Sequence, residues 1–163
     1  MIERTLVLLK PDAVQRAVMG RIISRFEDAG LKIIGMKMVW VDKKFALRHY
    51  REELAKRVGA HVREMIADFL TTGPVIAIVL EGVNAIENVR KLVGATEPKA
   101  AAPGTIRGDF SHMSYGYADQ KKVPVKNLIH ASSSKDDAEL ELKLWFGKGE
   151  LHSYKTVHDV HIM

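Results

Sequence analysis

The chain contains no cysteine, which excludes disulfides, thiolate metal sites and a cysteine nucleophile together. It has no apolar run near the roughly 20 residues that cross a bilayer. Runs such as Pro74 to Leu80 are far shorter, so no membrane partner is expected. The opening Met-Ile-Glu-Arg carries no basic stretch, apolar segment and small-residue cleavage site in series, and a cytoplasmic protein is expected. No Gly-x-x-x-x-Gly-Lys-Ser/Thr loop and no Gly-x-Gly-x-x-Gly fingerprint occurs, so any phosphate site must be built another way. The histidines outside residue 130 show no zinc spacing, and no metal held by the protein alone is expected. What is present fits one compact domain over residues 1–163, with 47% hydrophobic residues. A formal charge of +5 favours anionic partners, nucleotides and nucleic acids alike, without choosing between them.

The periodicity predicts a first strand from Glu3 to Leu9, ended by Lys10-Pro11-Asp12 because proline cannot donate to a ladder. A helix follows over Arg21 to Ala29, stopped by Gly30, and then a long β-branched-rich strand from Leu31 to Val41. Helices are expected over Lys43 to Ala55 and Val62 to Leu70, a buried strand over Val75 to Leu80, and a helix over Asn84 to Leu92. Gly94 to Val125 reads as a long functional loop. Leu128 to His130 reads as a short fourth strand, and Lys135 to Phe146 as a helix with Ser134 as its N-cap. Four strands with interspersed helices imply an α+β sandwich, one sheet covered on one face.

Asn127-Leu128-Ile129-His130-Ala131-Ser132 carries the most chemical information. A histidine after two apolar strand residues is held tightly and can be approached, and neutral imidazole is a competent nucleophile. Such a histidine is also common as a purely structural residue. Glu141, on the next helix, is placed to fix the imidazole tautomer, or else to sit on a solvated face. Pro103-Gly104-Thr105-Ile106-Arg107-Gly108-Asp109-Phe110 offers glycines for close approach and a planar guanidinium suited to phosphate oxygens, or a turn whose arginine pairs with an acid. Lys10 adds a third positive group at a strand end.

Taken in order, these segments resemble the nucleoside diphosphate kinase family across nearly the whole chain. The resemblance rests on Lys10-Pro11-Asp12, His49-Tyr50, Gly73-Pro74-Val75, Arg90, Gly94-x-Thr96-x-Pro98, the Pro103 to Phe110 run and Asn127-x-Ile129-His130-x-Ser132. It implies a ferredoxin-like α+β sandwich with a four-stranded antiparallel sheet and covering helices, assembled as a homo-hexamer. It implies ping-pong transfer of the terminal phosphate from a nucleoside triphosphate to a nucleoside diphosphate through phosphorylated His130. Glu141, Ser132 and Lys10 would serve the nucleophile; Lys10, Tyr50, Arg90, Thr96, Arg107 and Asn127 would bind phosphates or ribose. Mg2+ would be bound mainly through the nucleotide phosphates, and nucleic acid would not be required. The familiar Pro-Phe-Phe after Tyr50 is absent, which places Val62 near the base-stacking position and Ile66 beside it. An insertion between Phe110 and Asn127, with its Ser-x-x-x-Tyr-x-Tyr-Ala-Asp run, resembles the archaeal branch; it extends the cleft or serves subunit contacts. Two other readings compete: a binding module with little catalysis, allowed by the basic charge, and a structural oligomer subunit, which leaves the Pro103 to Phe110 loop without a purpose.

Overall fold

A computed structural model describes residues 1–161. The elements in order are β1 (Ile2–Leu9), α1 (Pro11–Gln15), α2 (Met19–Asp28), β2 (Lys32–Val39), α3 (Lys43–His49), α4 (Glu52–Val58), α5 (Ala60–Leu70), β3 (Val75–Val83), α6 (Ala85–Val93), α7 (Ile106–Phe110), α8 (Tyr115–Lys121), β4 (Ile129–Ala131) and α9 (Lys135–Trp145). Short 3-10 turns lie at Pro98–Ala100 and Val157–Val160. The sheet has strand order β2-β3-β1-β4, and every pairing is antiparallel. This is the four-stranded α+β sandwich that the sequence resemblance implies.

One expectation is corrected at once: the sheet is covered on both faces. Side chains alternate along β1, so Val7 and Leu9 enter one core with Ile22, Phe26, Val89 and Ile129. Leu6 and Leu8 enter the other with Ala46, Ala67, Leu70 and Trp145. The continuous apolar runs of β1 and β3 thus read as central strands buried on both sides, where one covered face would have required polar residues to alternate.

Three local expectations also change. The single helix expected over Lys43 to Ala55 breaks at Tyr50 and Arg51: Asp42 caps α3 by accepting from the Phe45 N–H at 2.7 Å, and Arg63 Nε donates to the Tyr50 carbonyl at 2.6 Å, turning the chain there. The expected loop from Gly94 to Val125 holds two helices, capped by Thr105, which accepts from Gly108 N, and by Ser114, which accepts from Tyr117 N. Their short length hides any amphipathic period. Pro11 ends β1 as expected but also opens a helix at its first position, where its missing N–H costs nothing. The fourth strand sits one residue later than expected, because Leu128 adopts φ 70° and leaves the sheet.

Candidate active site

The ends of β1 and β4 meet at one edge of the core. Leu8 pairs with His130 across the two strands, so the His130 ring points to the same side as Leu8, towards α3 and α9. Leu128 accepts from Lys10 N through its carbonyl at 2.8 Å, and donates its own N–H to Asp12 Oδ2 at 2.9 Å. A left-handed leucine is strained. The buried Asp12 carboxylate holds that kink, so the Lys10-Pro11-Asp12 segment directly shapes the approach to His130.

His130 Nε2 lies 3.0 Å from both carboxylate oxygens of Glu141, which is buried on α9. Burial alone would raise the Glu141 acid, but the electrostatic attraction and hydrogen bond of the His130 ring, then His49 and the Ser132 hydroxyl, outweigh it and hold it at about 2. The carboxylate is therefore ionised and can only accept, which puts the proton on His130 Nε2 and leaves Nδ1 as the nitrogen with a free lone pair. Ser132, fully buried, donates to Glu141 Oε2 at 2.6 Å and accepts from the Leu6 N–H at 3.2 Å. That ties the carboxylate to the backbone of β1.

The cations stand around the same cleft. Lys10 Nζ donates to Asn127 Oδ1, and Asn127 Nδ2 donates to the Thr96 carbonyl at 2.7 Å. Burial lowers the Lys10 ammonium to about 8; Asp12 opposes this and Arg107 adds to it. Arg107 donates to the carbonyls of Ile129, Gly94 and Asn127, which fixes the guanidinium plane while keeping its remaining N–H groups for an anion. Burial first, then Arg90, lowers Arg107 to about 10, so it stays charged at neutral pH. Both shifts have one meaning. Positive groups are held in poor solvation, in a place where phosphate oxygens would relieve them.

The cleft has a volume of 610 Å³ and is lined by Lys10, Tyr50, Arg90, Thr96, Arg107, Asn127, His130 and Glu141, eight of the nine residues singled out in the sequence. The ninth, Ser132, lies beneath Glu141. Val62 and Ile66 line its apolar side, with Leu54 and Val58 of α4. Tyr115, Ala118, Val123 and Pro124 line the cleft as well, so the insertion contributes to its wall. Sequence reasoning missed Arg51 and Phe69, which also line the cleft, and gave His49, quoted only within the His49-Tyr50 match, no role there. Only their proximity to Tyr50 and to the α5 apolar face could have pointed to them.

His49, His130 and Glu141 each place one donor atom within 4.8 Å of the others. Two imidazoles and a carboxylate already bonded to His130 and Ser132 are a poor match for magnesium, which prefers six oxygens. The cleft chemistry fits a hard cation that arrives on the phosphates of its ligand.

A family model described as nucleoside diphosphate kinase matches residues 3–151. The chain is 50% identical to the nucleoside diphosphate kinase of Pyrococcus furiosus over 158 residues, covering 97% of this chain and 91% of that protein. It is 50% identical to that of Thermococcus kodakarensis, covering 97% of this chain and 84% of that protein. Among solved structures, a transition state mimic of the Borrelia burgdorferi enzyme with bound vanadate and ADP superposes with a TM-score of 0.97 at 42% identity, covering 99% and 96% of the two chains. An NDP kinase from Pyrobaculum aerophilum superposes at 0.88 with 38% identity, covering 94% and 100%.

Proposed function

Given that the chain belongs to the nucleoside diphosphate kinase family, in an archaeal-like form, and has that enzymatic activity, we propose that its phosphate exchange runs through His130. The Nδ1 lone pair attacks the terminal phosphorus of a nucleoside triphosphate. The bond from that phosphorus to the bridging oxygen breaks, and the diphosphate leaves. A second nucleoside diphosphate then attacks the phosphohistidine with its terminal phosphate oxygen and restores Nδ1. Glu141 keeps the Nε2 proton throughout and balances the positive charge that develops on the ring, with Ser132 holding the carboxylate in place.

The other roles follow from charge and reach. Lys10, Arg90 and Arg107 surround the equatorial oxygens of the phosphoryl group in flight, where phosphoryl transfer asks most of a protein. Tyr50, Thr96 and Asn127 supply hydrogen-bonding groups for phosphate or ribose, and Val62 and Ile66 an apolar surface for the base. Mg2+ enters as part of the nucleotide substrate, neutralising the phosphates. The observation that carries the proposal is the His130–Glu141 contact at 3.0 Å in a cleft shared with three cations.

The protein assembles as a homo-hexamer in this proposal. Met36, Met38 and Trp40 support self-association, since they stand exposed along the edge strand β2 and its exit. Light scattering should then give six times the 18.2 kDa chain mass. A cytoplasmic site of action belongs to the same reading; among the described residues no helix is long and apolar enough to cross a membrane. The central test is incubation with γ-labelled ATP and magnesium, followed by mass-spectrometric mapping. Label on His130, lost in His130→Ala, is expected; label persisting in that variant would overturn the mechanism.

A further inference from the structure

His49 has no step in the reaction above, yet it is buried beside the nucleophile at the end of α3. Its Nδ1 accepts a hydrogen bond from Trp145 Nε1 at 3.2 Å. An indole N–H can only donate, so Nδ1 carries the lone pair. A neutral imidazole has one N–H, which must then be on Nε2. His49 is neutral: burial first, then the His130 ring and the cations Arg51 and Lys10, push it down to about 3, against only Glu141. Its Nε2 is buried without a hydrogen-bond partner among the described residues. The His49 and His130 rings stand at 87° with centroids 4.5 Å apart.

This tautomer matters because His130 Nε2–H has two basic neighbours within reach. One, at 3.0 Å, is the Glu141 carboxylate; the other is the His49 ring, which shares with them a cluster whose donor atoms lie within 4.8 Å of one another and which a small side-chain shift would bring into contact. A lone pair on His49 Nε2 would compete for the proton that defines which His130 nitrogen attacks. The same lone pair would complete two imidazole nitrogens and a carboxylate, a ligand set suited to zinc. The Trp145 N–H blocks both outcomes, since moving the His49 proton to Nδ1 would set two donors head to head.

We propose that Trp145 locks His49 as a hydrogen-bond donor, leaving Glu141 as the one acceptor for His130 and preventing the three groups from closing on a transition-metal ion. Trp145 and His49 are thus positioning residues for the nucleophile. The inference rests on the assignment of His130 as that nucleophile. The groups facing His49 are His130 on β4, Glu141 and Trp145 on α9, Tyr50 and Arg51 after α3, and Lys10 after β1.

Two measurements on the full-length protein test it. The first is calorimetric titration with zinc chloride in the absence of nucleotide. Trp145→Phe should bind zinc at least about tenfold more tightly than the wild type, and the double variant with His49→Leu should lose that gain. The second is the rate of phosphoenzyme formation. His49→Gln keeps the ring's polarity, its amide oxygen accepting from Trp145 and its NH2 presenting donors alone towards His130, so it should keep most of the rate. His49→Leu should be slower by about tenfold. Loss of volume at Trp145 alone would not create zinc affinity, and the His49 pair stands even if Trp145→Phe fails to fold. Equal zinc affinity in wild type and a folded Trp145→Phe, or a His49→Leu rate equal to wild type, would overturn the lock. Failure of the nucleophile assignment would instead show as wild-type label away from His130, while the zinc titration reads the lock without any nucleotide.

Discussion

Lys10→Met should make the empty protein slightly more stable while abolishing phosphoenzyme formation. Burial lowers the Lys10 ammonium from 10.5 to about 8, with Asp12 resisting and Arg107 assisting. That difference corresponds to about 3 kcal/mol against the charged form in the folded state. Methionine fills a similar volume without charge, but it strips Asn127 Oδ1 of its donor, which costs about 1–3 kcal/mol. A net gain of about 1 kcal/mol, or about 2–4 °C in Tm, is expected for a chain of this size. The wild type supplies an internal control. Between pH 8 and 10.5 the unfolded chain binds more protons at this site than the folded one, so wild-type stability gains a contribution that grows with rising pH. Unfolding free energies from denaturant titrations across that window should rise in wild type relative to Lys10→Met by up to about 3 kcal/mol. Activity runs the other way. By pH 9 only about one-tenth of free enzyme carries the Lys10 charge, so the second-order rate of phosphorylation should fall about tenfold per pH unit beyond 8. Lys10→Arg, whose guanidinium stays charged, should push that limb upward even where the rate itself is lower. Identical pH slopes of stability in wild type and Lys10→Met, or an alkaline limb unmoved in Lys10→Arg, would refute the reasoning.

Other substitutions probe the rest of the site. Glu141 is held at about 2 against an ordinary 4.5, so its interactions stabilise the fold above pH 4.5 and are lost as pH falls towards 2. Glu141→Gln should flatten that part of the acid unfolding curve, worth up to about 3 kcal/mol, and slow phosphorylation by about 10-fold or more; an unchanged curve would count against the pairing. Gly94 has φ 86°, and a Cβ there would meet Thr105 Oγ1 at 2.5 Å, while its carbonyl accepts from Arg107. Gly94→Ala should therefore cost about 1–3 kcal/mol and weaken ADP binding in calorimetry together. Val62→Ala with Ile66→Ala should raise KM for nucleoside diphosphates severalfold, with the phosphorylation level at saturating ATP unchanged; an unchanged KM would remove both from the base site.

How much of this was legible in the chain follows from the range of each interaction. Strands β1 and β3 could be read because central strands are continuous apolar runs, and α9 because its Ser134 cap and acidic first turn lie within four residues. The break at Tyr50 could not be read, since it depends on Arg63, 13 residues away, reaching its carbonyl. The helices α7 and α8 were hidden because five and seven residues are too few for a period.

The site divides in the same way. The sequence alone supplied the candidates: taken singly, His130, Glu141 and the cations Lys10 and Arg107 left structural readings open, and it was the order and spacing of the motifs, through their family resemblance, that gave them roles. What only the tertiary structure decided was the state of each group. The weakened Lys10 ammonium, the ionised Glu141, the strained Leu128 and the donor tautomer of His49 all arise from burial and from partners 9 to 117 positions away. Burial and hydrogen bonding set protonation and direction, and those are properties of a place in the fold rather than of a letter in the chain.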